Sequence, residues 1–105
     1  AAALATLKVL LETDLIAQVQ RKNELLLRGL QHPSVKEIRH AGLWFAIDLD
    51  DADKVKKVID NCLKNGLITD WFLFNDRSLR LAPPLTITEA EIETACDIMQ
   101  ASYQI

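Results

Sequence analysis

Cysteine is scarce in this sequence, which contains only Cys62 and Cys96 and no C-x-x-C motif. Two cysteines in 105 residues provide no disulfide framework. Both lie on apolar faces of predicted helices, where a free thiol acts as a small hydrophobic side chain. We therefore expect a chain that stays reduced, in a cytoplasmic compartment.

Long apolar runs and concentrated positive charge are also missing. No stretch approaches the roughly 20 apolar residues that a membrane-spanning helix needs, and no signal peptide opens the chain. The formal net charge is −3, and the lysines at 54, 56 and 57 follow aspartates at 50, 51 and 53. That pattern is typical of a solvated helix, so neither a membrane nor a nucleic acid is an expected partner.

Several familiar catalytic and metal-binding patterns are absent. The chain has no G-x-S-x-G, no phosphate-binding loop and no Gly-rich dinucleotide turn. His32 and His40 are too far apart for a helical metal pair and have no nearby cysteine, so we expect no metal site. Glu89, Glu91 and Glu93 lie at a predicted helix start, where we interpret them as capping and dipole groups. No residue of this chain is therefore assigned a catalytic role.

Apolar periodicity, by contrast, is strong at the beginning of the chain. It predicts helix from Ala1 to about Leu30, with a break near Thr13-Asp14, which favour an N-cap over a helix interior. Gly29 and the segment 31–33 are expected to end the second helix. The opening AAALATL has neither an initiator methionine nor a cap, so we expect the chain to be a fragment of a larger protein.

The middle of the chain alternates between strand and helix patterns. Segments 35–40 and 43–49 are predicted strands, and the second should bury Leu43, Phe45, Ile47 and Leu49 on one face. A helix capped by Asp50 or Asp51 follows, and Gly66 suits its left-handed end. The apolar face of this helix is predicted to contain Val55, Val58, Ile59, Cys62 and Leu63.

The last third adds two strands and a helix. Segment 67–74 is a predicted strand, 75–77 a polar turn, and 78–82 a short strand ended by Pro83-Pro84. Thr88 and Glu91 form a capping box for the final helix. Its apolar stripe is predicted to be Ile92, Ala95, Cys96, Met99 and Tyr103. The whole order predicts a single α+β domain with a mainly antiparallel three- to four-stranded sheet and helices packed on one face.

Arg80 is the one residue whose predicted position suggests binding. Alternation places Leu79 and Leu81 toward the helices, and Ser78, Arg80 and Ala82 on the opposite face. An arginine held on a strand suits bidentate binding of a carboxylate or phosphate. The same pattern also fits a solvent-exposed arginine on an edge strand, so spacing alone leaves both interpretations open.

Three short motifs occur in an order that resembles the C-terminal domain of class III (ornithine/acetylornithine-type) aminotransferases. They are V-x-E-[VI]-R followed by G-L at 35–43, G-L-[IL] at 66–68, and L-R-[LIF]-x-P-P-L-x-[IL]-[TS] at 79–88. The resemblance extends to the alanine-rich opening, which is similar to the helix that links the two domains in that family. It implies interdomain helices over 1–30 and a small α+β domain over 31–105.

The resemblance also implies a function. Family members are pyridoxal-phosphate-dependent transaminases, usually homodimers, in which the arginine at the position of Arg80 binds the substrate carboxylate. The lysine that holds the cofactor lies in the large domain of the same chain. None of the lysines here (Lys8, Lys22, Lys36, Lys54, Lys56, Lys57 and Lys64) has the sequence surroundings of a desolvated nucleophile. The isolated chain should therefore bind no cofactor and be inactive.

Two departures limit the resemblance. The family often has R-G-x-G where this chain has Arg39-His40-Ala41-Gly42, and the segment 69–74 is more aromatic than expected for the acetylornithine branch. The substrate therefore stays open between ornithine, acetylornithine and a 4-aminobutyrate-like amine. Two other functions also remain: a free-standing regulatory or interaction domain, and a small amino-acid-binding module anchored by Arg80.

Overall fold

The computed structural model describes residues 1–72 and 75–104, and within them it contains four helices and four strands. The order is α1 (Ala2–Glu12), α2 (Val19–Gly29), β1 (Glu37–Ala41), β2 (Trp44–Asp48), α3 (Ala52–Lys64), β3 (Asp70–Phe72), β4 (Asn75–Leu81) and α4 (Glu89–Ser102). This confirms the predicted α+β class. No helix among the described residues is long and apolar enough to cross a membrane.

The strands form one sheet in the order β1-β2-β4-β3, and every neighbouring pair is antiparallel. Strand β4 lies between β2 and β3 because α3 carries the chain across the sheet before β3 begins. Ile47 lies opposite both Ile38 and Leu79, and Phe45 lies opposite Leu81. This register aligns the apolar side chains of three strands on one face, as their alternation predicts.

Helices α2, α3 and α4 cover that apolar face, which we call the inner face. The buried hydrophobic residues of the core are Leu26, Leu30, Leu43, Phe45, Ile47, Leu49, Val55, Val58, Cys62, Leu79, Leu81, Ile92, Cys96, Met99 and Tyr103. Leu63 was predicted to belong to this core, and that prediction is wrong, since its side chain is 62% exposed. It lies at the edge of the helix stripe, one residue beyond the fully buried Cys62.

The predicted turn at 75–77 is also wrong, because these residues begin β4. Asn75 pairs with Phe72 of β3, and the carbonyl of Arg77 accepts a hydrogen bond from the Leu49 amide at 2.9 Å. Backbone pairing with two neighbours overrides the turn preference of these polar side chains. Leu73 and Phe74, which ended the predicted strand 67–74, lie outside the described residues.

Gly29 is the last residue of α2, and the Leu30 amide still donates to the Leu26 carbonyl. A Cβ at this position would lie 2.4 Å from the Cys96 sulfur of α4. No side chain fits at that distance, so the glycine allows α2 and α4 to pack closely. The helix ends at Gly29, as predicted from the sequence, and the same glycine allows the close contact between the two helices.

Helix α1 differs from the other three because it buries no residue. Leu4, Leu7 and Leu11 are all exposed. The helix ends at Glu12, directly before Thr13 and Asp14, which confirms the predicted break. Six residues separate it from α2.

Candidate functional site

Arg80 lies where its alternation predicts, on the outer face of the sheet, away from the helices. Its neighbours Leu79 and Leu81 are buried in the core, whereas Arg80 itself is exposed. It pairs with Ala46 of β2 on one side and with Asp70 of β3 on the other. Strand β4 is thus flanked by two others at this point, which fixes the backbone of Arg80 in the middle of the sheet.

The guanidinium of Arg80 keeps most of its hydrogen-bonding capacity. It forms an ion pair with Asp70, whose Oδ2 lies 3.9 Å from Nη2 of Arg80, beyond hydrogen-bonding distance. The backbone carbonyl of Arg80 accepts a hydrogen bond of 2.6 Å from the Thr69 hydroxyl. Among residues 1–72 and 75–104, no hydrogen bond to the guanidinium occurs, so its donors face outward from a fixed strand.

A second arginine on the outer face, Arg39, was not singled out from the sequence. It lies in the same cross-strand row, separated from Arg80 by Ala46. Its Nη1 lies 3.2 Å from Glu37 and 3.5 Å from Asp48, and its Nη2 donates to the Ser78 hydroxyl at 3.3 Å. Arg39 therefore has close partners within the protein, whereas the Arg80 guanidinium has only the 3.9 Å ion pair with Asp70 among the described residues.

This network explains why Ser78 is fully buried although the outer face was predicted to be open there. Its hydroxyl also accepts from the Asn75 side chain at 3.1 Å. Asp48 is almost fully buried as well, and it accepts a hydrogen bond of 2.8 Å from the Asp50 amide. One half of the outer face thus carries a polar cluster around the buried Ser78 and Asp48, and the other half carries the exposed Arg80.

The segment that follows Arg80 borders a cavity of about 470 Å³. Its lining includes Asp70, Arg80, Pro83, Pro84 and Ile87. Lys22 of α2 is buried, and its ammonium donates a hydrogen bond to the Leu85 carbonyl. This bond connects α2 to the segment that follows Arg80. The position of the Pro-Pro segment next to Arg80 is therefore set from the helical layer.

The lysines give no place at which a cofactor could be attached. Lys22 is buried, but its ammonium is bound to a backbone carbonyl, and the other six lysines are exposed. Lys36 forms an ion pair with Asp50 at 3.3 Å. A carbonyl-containing cofactor needs a lysine with a free and desolvated amine, so the residues of this chain do not fit that role.

The remaining candidates from the sequence have structural roles. His32 accepts a hydrogen bond from the Ser34 amide at 3.0 Å, and His40 Nδ1 lies 3.1 Å from the Asn23 amide nitrogen. Among the described residues, no three His, Cys, Asp or Glu side chains converge as metal ligands. Cys62 and Cys96 are free and buried, and burial raises the pKa of both thiols.

The glutamates at the start of α4 behave as capping and surface groups, as interpreted from the sequence. Glu91 completes the capping box with Thr88, and the hydrogen bond from the Thr88 backbone amide lowers the pKa of its carboxyl group. Glu89 pairs with Arg21, whose hydrogen bond lowers the pKa of Glu89. Both carboxyl groups therefore favour the charged form, which suits a helix N-terminus better than proton transfer.

The sequence matches one protein family over almost its whole length. Residues 1–102 match the family described as Aminotransferase class-III. An acetylornithine aminotransferase from Haemophilus ducreyi is 36% identical over 90 residues, covering 85% of this chain and 22% of the relative. The corresponding enzyme from Archaeoglobus fulgidus is 35% identical over 98 residues, covering 93% of this chain and 24% of the relative.

Solved structures agree with the sequence comparison. A Bacillus anthracis aminotransferase superposes with a TM-score of 0.85 at 28% identity, covering 97% of this chain and 27% of that one. An ornithine aminotransferase from Toxoplasma gondii gives a TM-score of 0.83 at 28% identity, covering 96% of this chain and 25% of that one. The chain therefore spans about a quarter of the length of the proteins it matches.

Proposed function

Because the chain belongs to the class III aminotransferase family, we propose that it is the small C-terminal domain of a pyridoxal-phosphate-dependent transaminase. The intact parent would move an amino group between an amino acid or ω-amine and a 2-oxo acid. Coverage of 22% and 24% of the curated relatives supports a larger domain in the same parent chain. In that division, residues 1–30 connect the domains and 31–105 form the small one.

Arg80 is the residue that we propose binds the substrate carboxylate. The observation that supports this assignment is that the Arg80 guanidinium donates no hydrogen bond to any described residue. The guanidinium of Arg39, by contrast, contacts Glu37, Asp48 and Ser78. A carboxylate is the anion whose two oxygens match an arginine fork. Burial of Leu79 and Leu81 on either side fixes the backbone of the strand from which the Arg80 side chain extends.

The rest of the chemistry belongs to the parent. Pyridoxal phosphate supplies the electron sink for amino-group transfer when it is bound, and its lysine is expected in the large domain. The contribution of this chain is to orient the substrate by its carboxylate and to close one side of the site. The parent is proposed to be a cytoplasmic homodimer.

The amino donor is proposed to be ornithine, acetylornithine or a related ω-amine. Support comes from relatives named acetylornithine aminotransferase at 35–36% identity and from the structural likeness to an ornithine aminotransferase. Ornithine and acetylornithine both keep an α-carboxylate at the end opposite the reacting amine. That shared group is what Arg80 would bind.

The test is Arg80→Ala in the intact parent enzyme, assayed with a carboxylate-containing donor. A lost charge-assisted hydrogen bond costs about 1.5–3 kcal/mol, so we expect kcat/KM to fall roughly 10- to 150-fold. The absorbance of the bound cofactor should be unchanged. Arg77→Ala is the matched control, since it removes the same charge from the same strand at a residue paired with Asp50. Equal kinetics for the Arg80 variant and the wild type would contradict the proposal.

A further inference from the structure

Asp70 faces Arg80 directly across the β3–β4 pair. The two residues are register partners, and their side chains, 53% and 49% exposed, approach to 3.9 Å between Oδ2 and Nη2. The other oxygen of Asp70, Oδ1, accepts a hydrogen bond of 2.8 Å from the Trp71 amide. The carboxylate is thus held by its own backbone, with one oxygen directed toward Arg80.

The pair lies on a short and well-anchored part of the sheet. The Thr69 hydroxyl donates to the Arg80 carbonyl, which joins the residue before Asp70 to the strand that carries Arg80. Both charged residues line the cavity beside the Pro-Pro segment. A ligand bound in this cavity therefore meets a positive and a negative side chain together.

The positive charge of the neighbouring Arg39 is balanced within its own cluster. Arg39, the nearest arginine in the cross-strand row, is compensated by Glu37 and Asp48. Within residues 1–72 and 75–104, the ion pair on the other half of the outer face is Arg80–Asp70, with a formal charge of zero. A bare carboxylate gains attraction to Arg80 and suffers repulsion from Asp70, whereas a ligand with adjacent negative and positive groups satisfies both.

We propose that Asp70 is a specificity-determining residue that makes this site select a free α-amino-acid head group, with the carboxylate on Arg80 and the α-ammonium on Asp70. This inference rests on the proposed function of Arg80 and adds the class of ligand. The selected substrates are ω-amino donors whose α-nitrogen is unmodified and charged. Donors in which that nitrogen is acylated lose the contact with Asp70 and keep the repulsion between the two carboxylates.

The experiment uses the intact, cofactor-loaded parent and two probes, L-ornithine and N2-acetyl-L-ornithine. They offer the same δ-amine and the same carboxylate, and they differ in the charge of the α-nitrogen. The variant is Asp70→Asn, which retains the oxygen that accepts from the Trp71 amide and removes the negative charge. The dissociation constants of both probes are measured for the wild type and the variant.

We expect the Asp70→Asn exchange to weaken ornithine binding and strengthen acetylornithine binding, so that the affinity ratio changes about 5- to 10-fold. Asp76→Asn, at an exposed position of β4, is the matched control and should leave the ratio unchanged. A purely structural role for Asp70 would change both affinities by the same factor and would overturn the inference. Failure of the wild type to bind L-ornithine would overturn it as well.

Arg80→Ala separates this inference from the function on which it rests. If that variant binds both probes less well and Asp70→Asn leaves their ratio unchanged, Arg80 is the carboxylate site and the role of Asp70 is refuted. If Arg80→Ala alters neither affinity, the proposed function fails together with the inference.

Discussion

At the scale of residues, the outer face of the sheet carries two arginines, Arg39 and Arg80, that differ in their contacts within the protein. Arg39 contacts two carboxylates and a hydroxyl of its own sheet, and its partners include the buried Asp48 and Ser78. No hydrogen bond from the Arg80 guanidinium occurs among the described residues, and its ion-pair contact with Asp70 measures 3.9 Å. Charge alone does not separate the two in the sequence, because the distinction depends on which side chains lie opposite each arginine in the sheet.

Arg39→Gln tests this division of roles through stability. The exchange leaves the buried carboxylate of Asp48 without its cationic neighbour, so we expect the free energy of unfolding to fall by about 1–2 kcal/mol. Urea unfolding of the chain, followed by circular dichroism, measures the difference. Arg80→Gln should stay within about 0.5 kcal/mol of the wild type, as is usual for an exposed surface position. Equal losses for the two variants would show that the arginines do not differ in this way.

At the scale of elements, the final helix is the part whose start is most completely specified by local sequence. Thr88 accepts a hydrogen bond from the Glu91 amide at 3.1 Å, and the Glu91 carboxylate accepts one from the Thr88 amide at 3.0 Å. Ile92, the next apolar residue, is buried in the core. The capping box thus fixes the direction in which the chain leaves the Pro-Pro segment and places α4 on the inner face.

Thr88→Ala should remove that cap. The expected loss is about 1 kcal/mol in the free energy of unfolding, because one amide at the helix start loses its acceptor. Hydrogen exchange of the amides in the first turn of α4 should accelerate accordingly. Thr94→Ala, in the exposed middle of the same helix, is the control and should be neutral or slightly stabilising. Unchanged protection in the Thr88 variant would refute the role of the cap.

The features that the sequence predicted well are local ones. Leu79 and Leu81 in the core and the T-x-x-E cap follow from side chains two to four residues apart. The approach of Gly29 to Cys96 and the Arg39–Asp48–Ser78 cluster were missed, because each joins segments that are distant in sequence. Asn75 was misassigned to a turn for a different reason: its partner Phe72 is only three residues away, and local polarity does not reveal strand pairing at so short a spacing.

At the scale of the whole molecule, the chain combines a buried hydrophobic core with one helix, α1, that buries no residue. Helices α2, α3 and α4 share one apolar cluster with the sheet, whereas α1 buries nothing and exposes three leucines. A quarter-length match to aminotransferases accounts for both properties if α1 contacts the large domain of the parent. The molecule then contributes a substrate anchor to a site that is completed elsewhere.

If the cofactor-binding lysine lies in the large domain of the parent, the isolated chain should not react specifically with the cofactor. The 105-residue chain, mixed with pyridoxal phosphate and treated with borohydride, should show no single preferred lysine after peptide mapping. The reason is that Lys22 is bound to a backbone carbonyl and the other six lysines are exposed. Specific labelling of one lysine would mean that this chain contains cofactor-binding machinery of its own.

The central claim, that Arg80 binds the substrate carboxylate, is tested most directly by a double-difference measurement in the intact parent. The kcat/KM values of a donor and of its α-carboxamide are compared in the wild type and in Arg80→Ala, which isolates the interaction between the guanidinium and the carboxylate. The account predicts that the wild type prefers the carboxylate at least about tenfold and that this preference disappears in the variant. A preference that persists undiminished without Arg80 would contradict it.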